Sequence, residues 1–172
     1  MVLITRVDER LLHGQTAASW IPAIGADCIL IANDSVVQDN LKKTAMKLAK
    51  PSGTKLVMKS IEDSIQALNS GVTDKYKLFI IVESIADAER ISSEVSAVDK
   101  VNLGLVRAKE GTRNICKSVN VLPEEEELRY FKRTEQIRSM ISKNFLNLES
   151  GYLENFVDEI YPDIFGDDKE DE

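Results

Sequence analysis

The only histidine of the 172-residue chain, His13, lies in a short segment that is rich in charged side chains. Residues 6–15 read Arg-Val-Asp-Glu-Arg-Leu-Leu-His-Gly-Gln. A neutral imidazole is a good nucleophile near neutral pH, because its unperturbed pKa is about 6.5. A transferred phosphoryl group also needs positioned donors for its charged oxygens, and the forked guanidinium groups of Arg6 and Arg10 can serve as such donors. These residue types therefore suit phosphoryl transfer through His13.

Two further residues of the segment fit the same chemistry. Asp8 could orient an arginine or the imidazole, and Gly14 would let the backbone approach a ligand closely. The N–H groups at the start of a helix, from Gly14 onward, would bind an anion. A plainer interpretation stays open, because a histidine next to leucines is often an ordinary loop residue. The alternating charges at positions 6, 8 and 10 could also be the solvated face of a strand.

Short β-branched runs recur along the chain and predict strands. They are apolar at consecutive positions, as expected for strands that are covered on both faces. The predicted strands are Val2–Ile4, Cys28–Ala32, Lys55–Met58, Leu78–Val82, Val101–Leu103 and Ser118–Leu122.

Helical patterns separate these strands. After Asp34, the residues Val37, Leu41, Ala45 and Leu48 recur at helical spacing, and that helix should end before Pro51. Ser60 and Ser84 each precede an amphipathic segment, with an aspartate three residues later, and predict N-caps. Thr16–Ile24 is a further predicted helix, within which Pro22 should cause a kink or an end.

Strands that alternate with single helices predict an α/β fold: an open, doubly wound, mainly parallel sheet with helices on both faces. Functional sites in such sheets lie beyond the carboxyl ends of the strands. The segment that follows the first strand contains His13, and it is therefore the first place to look for a site.

Composition excludes several classes of function. A net charge of −7 argues against a general nucleic-acid binder. Two distant cysteines, Cys28 and Cys116, with a single histidine make a zinc site very unfavourable, and neither phosphate-binding loop motif of nucleotide enzymes occurs. No apolar run approaches the roughly 20 residues of a membrane span, and no secretory signal is visible. We therefore expect a cytoplasmic protein without a metal or cofactor.

The segment at residues 6–15 closely resembles the signature of the IIB subunits of the mannose/sorbose family of the bacterial sugar phosphotransferase system. The resemblance extends over roughly residues 1–122. Its supporting matches are Ser19-Trp20, Ile31-Ala32-Asn33-Asp34, Pro51-Ser52-Gly53-Thr54-Lys55-Leu56, Asn102-Leu103-Gly104 and Lys109-Glu110-Gly111.

The resemblance implies a phosphotransferase that accepts a phosphoryl group from a IIA domain and passes it to a sugar arriving through a membrane IIC/IID complex. It implies that His13 is phosphorylated on Nδ1 and that Arg10 is the main electrostatic partner of the transfer. The residues that would shape the loop are Arg6, Asp8, Gly14 and Gln15. Asn33 and Asp34 could flank the site, although a helix cap explains Asp34 equally well.

The last third of the chain departs from the family pattern. We expect a IIB-like core over residues 1–122, a divergent helical part over 123–162 that packs on the same domain, and an acidic tail over 163–172. A helix over 123–145 would bury a face that includes Leu128, Phe131, Ile137 and Ile141. The departure leaves one alternative function open, a IIB-like regulatory or partner-binding module without a transport role.

Overall fold

The computed structural model describes residues 1–116 and 118–125. Its backbone divides into two compact units, Met1–Leu105 and Val106–Glu172. The predicted helix over 123–145 lies outside the described residues beyond position 125, and so does the acidic tail. No helix of the described part is long and apolar enough to cross a membrane.

The first unit is built on a five-stranded sheet in which every pair is parallel. Its strands are β1 (Val2–Asp8), β2 (Cys28–Ala32), β3 (Lys55–Lys59), β4 (Leu78–Val82) and β5 (Val101–Leu105), arranged in the order β3-β2-β4-β1-β5. The predicted α/β class with a parallel sheet is confirmed. β1 is longer than its apolar run indicated, and it extends through Arg6 to Asp8.

Four helices connect the strands: α1 (Gly14–Ile24), α2 (Asn40–Ala49), α3 (Ile61–Asn69) and α4 (Ile85–Glu94). The predicted caps are confirmed, since the Ser60 side chain accepts from the Asp63 N–H and that of Ser84 from the Asp87 N–H. Pro22 lies inside α1 without ending it; the helix stops at Gly25, whose φ of 67° is left-handed.

The helix expected after Asp34 begins later than predicted, and its predicted apolar side does not face the core. A single 3-10 turn comes first, and α2 then begins at Asn40 with Asp39 as its N-cap, ending before Pro51 as predicted. Leu41 and Leu48 are 81% and 82% exposed, whereas Met46 is buried. The apolar spacing thus predicts a helix correctly, but the stripe that it marks faces solvent.

The core lies on both faces of the sheet. On one face, α1 and α2 pack with alternate strand residues in a cluster of Ile4, Leu11, Leu12, Ala17, Ile21, Ile29, Ile31, Val36, Met46, Phe79 and Ile81. The intervening strand residues, such as Leu30 and Ile80, are equally buried. They belong to the opposite face because side chains alternate along a strand. Helices α3 and α4 contact each other and the strands.

The second unit contains an antiparallel pair, β6 (Arg113–Cys116) and β7 (Val119–Val121), with Asn114 opposite Asn120. The strand predicted at residues 118–122 therefore exists. It pairs with its neighbour in a separate two-stranded sheet, however, and not with the parallel strands. Its short hairpin connection accounts for the difference, because two antiparallel strands can be joined without a crossover helix.

Candidate functional site

A tight turn connects the carboxyl end of β1 to His13. The Asp8 side chain accepts a hydrogen bond from the Arg10 N–H at 3.0 Å, and the Leu11 N–H donates to the Asp8 carbonyl at 2.8 Å. Leu11 adopts a left-handed backbone with φ of 56°, which is unfavourable for a branched side chain. Burial of Leu11 and Leu12 in the core holds this conformation. The turn is therefore fixed by packing on one side and by a carboxylate on the other.

His13 is the N-cap residue of α1, with an extended backbone. Its imidazole is partly buried, with 21% of the side chain exposed. The Nε2 atom lies 3.3 Å from Asp8 Oδ2 and 2.7 Å from Thr16 Oγ1. Both imidazole hydrogen bonds to described residues thus use Nε2, and Nδ1 is the nitrogen left for other chemistry.

Asp8 is the centre of the site, and its carboxylate is fully buried. Its Oδ2 atom accepts from Arg6 Nε at 3.3 Å and from Arg6 Nη2 at 3.1 Å. On the other side, Arg10 Nε lies 3.7 Å from Oδ1. A buried carboxylate is stable only when it is paired and hydrogen-bonded. Asp8 therefore joins both arginines and the histidine in one cluster, and the solvated-strand interpretation of residues 6, 8 and 10 is wrong.

Arg6 lies in the core beneath the loop. Its Nη1 donates to Asn102 Oδ1 at 2.7 Å, and its Cζ lies 4.8 Å from the centre of the Trp20 ring. A Cβ atom on Gly104 would lie 2.1 Å from Arg6 Cζ, so glycine is required for the guanidinium to fit. Burial lowers the pKa of Arg6 below its ordinary value, while the charge of Asp8 acts in the opposite direction. The side chain nevertheless stays protonated, and its role is to hold Asp8.

Arg10 differs from Arg6 in its exposure. Its side chain is 43% exposed beside the buried Asp8, whereas that of Arg6 is 10% exposed. Arg10 therefore can present part of its guanidinium to a ligand over the loop, while Arg6 cannot without breaking its buried contacts.

The first turn of α1 is open to an anion. The His13 side chain makes no capping hydrogen bond, and the first turn has no acidic residue. Gly14 and Gln15 are exposed, and a Cβ atom on Gly14 would have no neighbour within 4 Å. The N–H groups at a helix start carry partial positive charge and bind anions.

Asn33 and Asp34 follow β2 at the same edge of the sheet, but their hydrogen bonds serve the neighbouring turns. Asn33 donates to Glu83 at 2.7 Å, and its side-chain oxygen accepts from the Val36 N–H at 2.9 Å. Asp34 accepts from the Ile61 N–H at 2.9 Å, at the start of α3. The structure thus places both residues in turn-forming contacts, and none of their described hydrogen bonds involves His13.

Sequence reasoning assigned no role to four residues that complete the cluster: Thr16, Trp20, Asn102 and Gly104. Trp20, Asn102 and Gly104 stand in the segments that resemble the IIB family, and this was the available signal. Asn102 and Gly104 belong to strand β5, which extends two residues beyond the predicted strand Val101–Leu103. No spacing rule could pair them with Arg6, because residues 6 and 102 meet only through the register of β1 and β5.

Comparisons with known proteins agree with this fold and point to one family. A family model described as "PTS system sorbose subfamily IIB component" matches residues 2–143. A probable phosphotransferase enzyme IIB component of Streptococcus pyogenes serotype M6 is 37% identical over 106 residues, which cover 62% of this chain and 65% of that protein. The N-acetylgalactosamine-specific phosphotransferase enzyme IIB component 2 of Escherichia coli is 27% identical over 120 residues, covering 70% of this chain and 76% of that one.

Solved structures show the same fold. The IIBSor domain of the sorbose permease from Klebsiella pneumoniae superposes with a TM-score of 0.71 at 22% identity, covering 80% of this chain and 84% of that one. The N-acetylgalactosamine-specific IIB component 1 of Escherichia coli also gives a TM-score of 0.71, at 24% identity, covering 80% and 90%.

Proposed function

The chain belongs to the sorbose subfamily of IIB components of the phosphotransferase system, and we propose that it carries a phosphoryl group on Nδ1 of His13. The donor would be a phosphohistidine of a IIA protein or domain, and the acceptor a sugar delivered by a IIC/IID membrane complex. Transfer would take place in the cytoplasm, at the inner face of that complex. The observation that carries the proposal is the hydrogen bonding of His13 Nε2 to the buried Asp8–Thr16 pair.

Acceptance of the phosphoryl group by His13 needs no proton to move. When Nε2 holds the imidazole proton beside Asp8, the lone pair of neutral His13 is on Nδ1. Nδ1 attacks phosphorus, the bond from phosphorus to the donor nitrogen breaks, and its electron pair returns to the donor imidazole. His13 then carries phosphorus on Nδ1 and keeps its proton on Nε2. In the second step the sugar hydroxyl oxygen replaces Nδ1 on phosphorus, the electron pair of the broken N–P bond returns to the His13 imidazole, and the hydroxyl proton is released to solvent.

The loop supplies the charge that this transfer needs. The guanidinium of Arg10 is partly exposed on the same turn, and the first N–H groups of α1 lack a side-chain cap. Positioned cations and N–H donors stabilise the equatorial oxygens of a transferred phosphoryl group. Asp8 would repel a phosphoryl group if it were exposed, but it is buried and neutralised by Arg6.

The test is phosphorylation of the purified chain by a phosphorylated IIA partner with its upstream components. We expect one acid-labile phosphoryl group per chain, absent from the His13→Ala variant. A spectrum of the phosphorylated chain labelled with ¹⁵N-histidine assigns the nitrogen, because the chain has a single histidine. Full labelling of the alanine variant, or phosphorus on Nε2, would contradict the proposal.

A second assay separates transport from regulation. Membranes that contain the matching IIC/IID complex should take the phosphoryl group from the phosphorylated chain and form a sugar phosphate. If the chain is phosphorylated but supports no sugar phosphorylation with any matching complex, the regulatory alternative is favoured.

A further inference from the structure

The side chain of Thr16 contacts both the imidazole of His13 and the carboxylate of Asp8. Thr16 is the third residue of α1 and is 2% exposed. Its Oγ1 atom lies 2.7 Å from His13 Nε2. The same hydroxyl donates a hydrogen bond to Asp8 Oδ2 at 3.4 Å. The direct distance from Nε2 to Asp8 Oδ2 is 3.3 Å, so the hydroxyl makes the shortest contact of the imidazole.

The count of hydrogens around Thr16 favours one arrangement. A threonine hydroxyl has one hydrogen to donate and two lone pairs to accept. If it donates to Asp8, its oxygen accepts from an Nε2–H group, and the carboxylate also faces that N–H. If it donated to Nε2 instead, the Nε2 lone pair would face the carboxylate of Asp8 at 3.3 Å, and two acceptors would be opposed. The first arrangement satisfies all three groups.

We propose that Thr16 is a positioning residue that holds His13 as the Nε2–H tautomer and so presents the Nδ1 lone pair to the incoming phosphorus. The inference rests on the proposed phosphoryl transfer but concerns a different residue. Asp8 supplies the charge and Thr16 supplies the short hydrogen bond, and both come from elements fixed by the core. In the phosphorylated chain the same contact would hold Nε2–H and keep the ring in its orientation for the second transfer.

A purely structural role for Thr16 makes a different prediction. A buried threonine near a helix start can act through its methyl group and volume alone, and valine would then replace it without loss. Serine would keep the hydroxyl but lose the methyl group. Thr16→Val and Thr16→Ser are therefore matched variants that separate hydrogen bonding from packing.

The experiment measures the tautomer of His13 in the unphosphorylated chain labelled with ¹⁵N-histidine, about two pH units above the ordinary imidazole pKa of about 6.5. We expect wild type and Thr16→Ser to hold the Nε2–H tautomer. In Thr16→Val the ratio of Nε2–H to Nδ1–H should fall about fivefold, the value of one typical net hydrogen bond. The rate of phosphoryl acceptance should fall in Thr16→Val in proportion to the fraction of molecules that lose the Nε2–H tautomer, and it should recover in Thr16→Ser.

The outcomes separate this inference from the proposed function. An unchanged tautomer ratio in Thr16→Val, or a wild type that holds Nδ1–H, would overturn the role of Thr16 whether or not the chain is phosphorylated. A slower Thr16→Val with an unchanged tautomer ratio, or one that Thr16→Ser does not restore, would also overturn it in favour of packing. If wild type holds Nε2–H, the ratio falls in Thr16→Val and the chain is never phosphorylated, the tautomer role is upheld and the proposed carrier function is refuted.

Discussion

The start of α1 differs from the starts of α3 and α4 within one sheet. In α3 and α4, Ser60 and Ser84 accept hydrogen bonds from N–H groups of the first turn, which also contains acidic residues. In α1 the N-cap position is occupied by His13, which makes no capping hydrogen bond, and no acid follows it. Helices α3 and α4 have their end charge satisfied within the chain, whereas α1 leaves donors and positive potential for an anion.

The difference shows where the stability of the site comes from. A missing cap lowers helix stability by about 1 kcal/mol, and α1 is held by other contacts. Ala17 and Ile21 are buried against the sheet, and Trp20 stacks on Phe79 with ring centres 5.9 Å apart. Beneath the helix start, Asp8 and Arg6 form a buried pair. Core packing therefore allows the helix end to remain open for function.

The largest expected effect on the rate of phosphoryl acceptance comes from replacing Arg10. The control is Arg90, an exposed arginine that contacts Glu62 on α3 and Glu94 on α4. Arg10→Ala should slow phosphoryl acceptance by about 100-fold or more, because a forked donor on a transferring phosphoryl group is worth orders of magnitude in rate. Arg90→Ala should leave the rate unchanged. Single-turnover transfer from a phosphorylated IIA partner measures both, and equal rates for wild type and Arg10→Ala would refute the role of Arg10.

Asp8→Ala should cause the largest loss of stability in the site. It leaves the buried Arg6 without its carboxylate, and removal of one partner of a buried ion pair costs about 3 kcal/mol or more. Urea unfolding should therefore show a much lower midpoint for Asp8→Ala than for wild type. Asp8→Asn, which keeps an oxygen for the Arg10 N–H, should lose less. A midpoint for Asp8→Ala equal to that of wild type would show that Arg6 is solvated and not buried.

Changes of the N-cap residue should have smaller effects on stability than Asp8→Ala. Removal of the cap of α3 should lower the free energy of unfolding, and addition of a cap to α1 should raise it. Ser60→Ala removes a cap and should lower the free energy of unfolding by about 1 kcal/mol without slowing phosphoryl transfer. His13→Ser adds a cap to an extended residue at the start of α1. It should be about 1 kcal/mol more stable than His13→Ala, although neither variant can be phosphorylated. Chemical denaturation compares Ser60→Ala with wild type and His13→Ser with His13→Ala. Equal stability of the two His13 variants would mean that the first N–H groups of α1 already have hydrogen-bond partners.

Much of the fold follows from local pattern, and the failures have physical causes. Consecutive apolar residues in β2 and β4 mark strands buried on both faces, and Ser60 and Ser84 mark helix starts, because each signal depends on neighbours in sequence. The stripe of Leu41 and Leu48 points to solvent, since periodicity gives a helix but not the side that meets the sheet. The strand β7 was predicted as a further parallel strand. Its antiparallel partner β6 lies in a segment without an apolar run, so no pattern in the sequence indicated a hairpin.

The site was predictable in part for the same reason. His13, Arg10 and Asp8 stand within six residues, so their chemistry can be read from one segment. The burial of Arg6 could not be read, because it depends on Asn102 and on the room left by Gly104, almost a hundred residues away. The resemblance to a family pointed to those positions without their roles, which only the register of β1 and β5 supplies.

The smallest expected effect comes from adding an acidic residue to the first turn of α1. This change tests the difference between the starts of α1 and α3 most directly. Gln15→Glu gives α1 an acid like those of α3, and interaction with the helix end should stabilise the fold by about 0.5 kcal/mol. The same charge would repel the incoming phosphoryl group, so acceptance should slow by several-fold and recover partly at high salt, where exposed charges are screened. Asp63→Asn on α3 is the matched control, which should lose a similar stability and leave the rate unchanged. Thermal unfolding and single-turnover transfer measure the two quantities. If Gln15→Glu changed stability but not rate, the phosphoryl group would not approach the start of α1, and the open helix end would need another explanation.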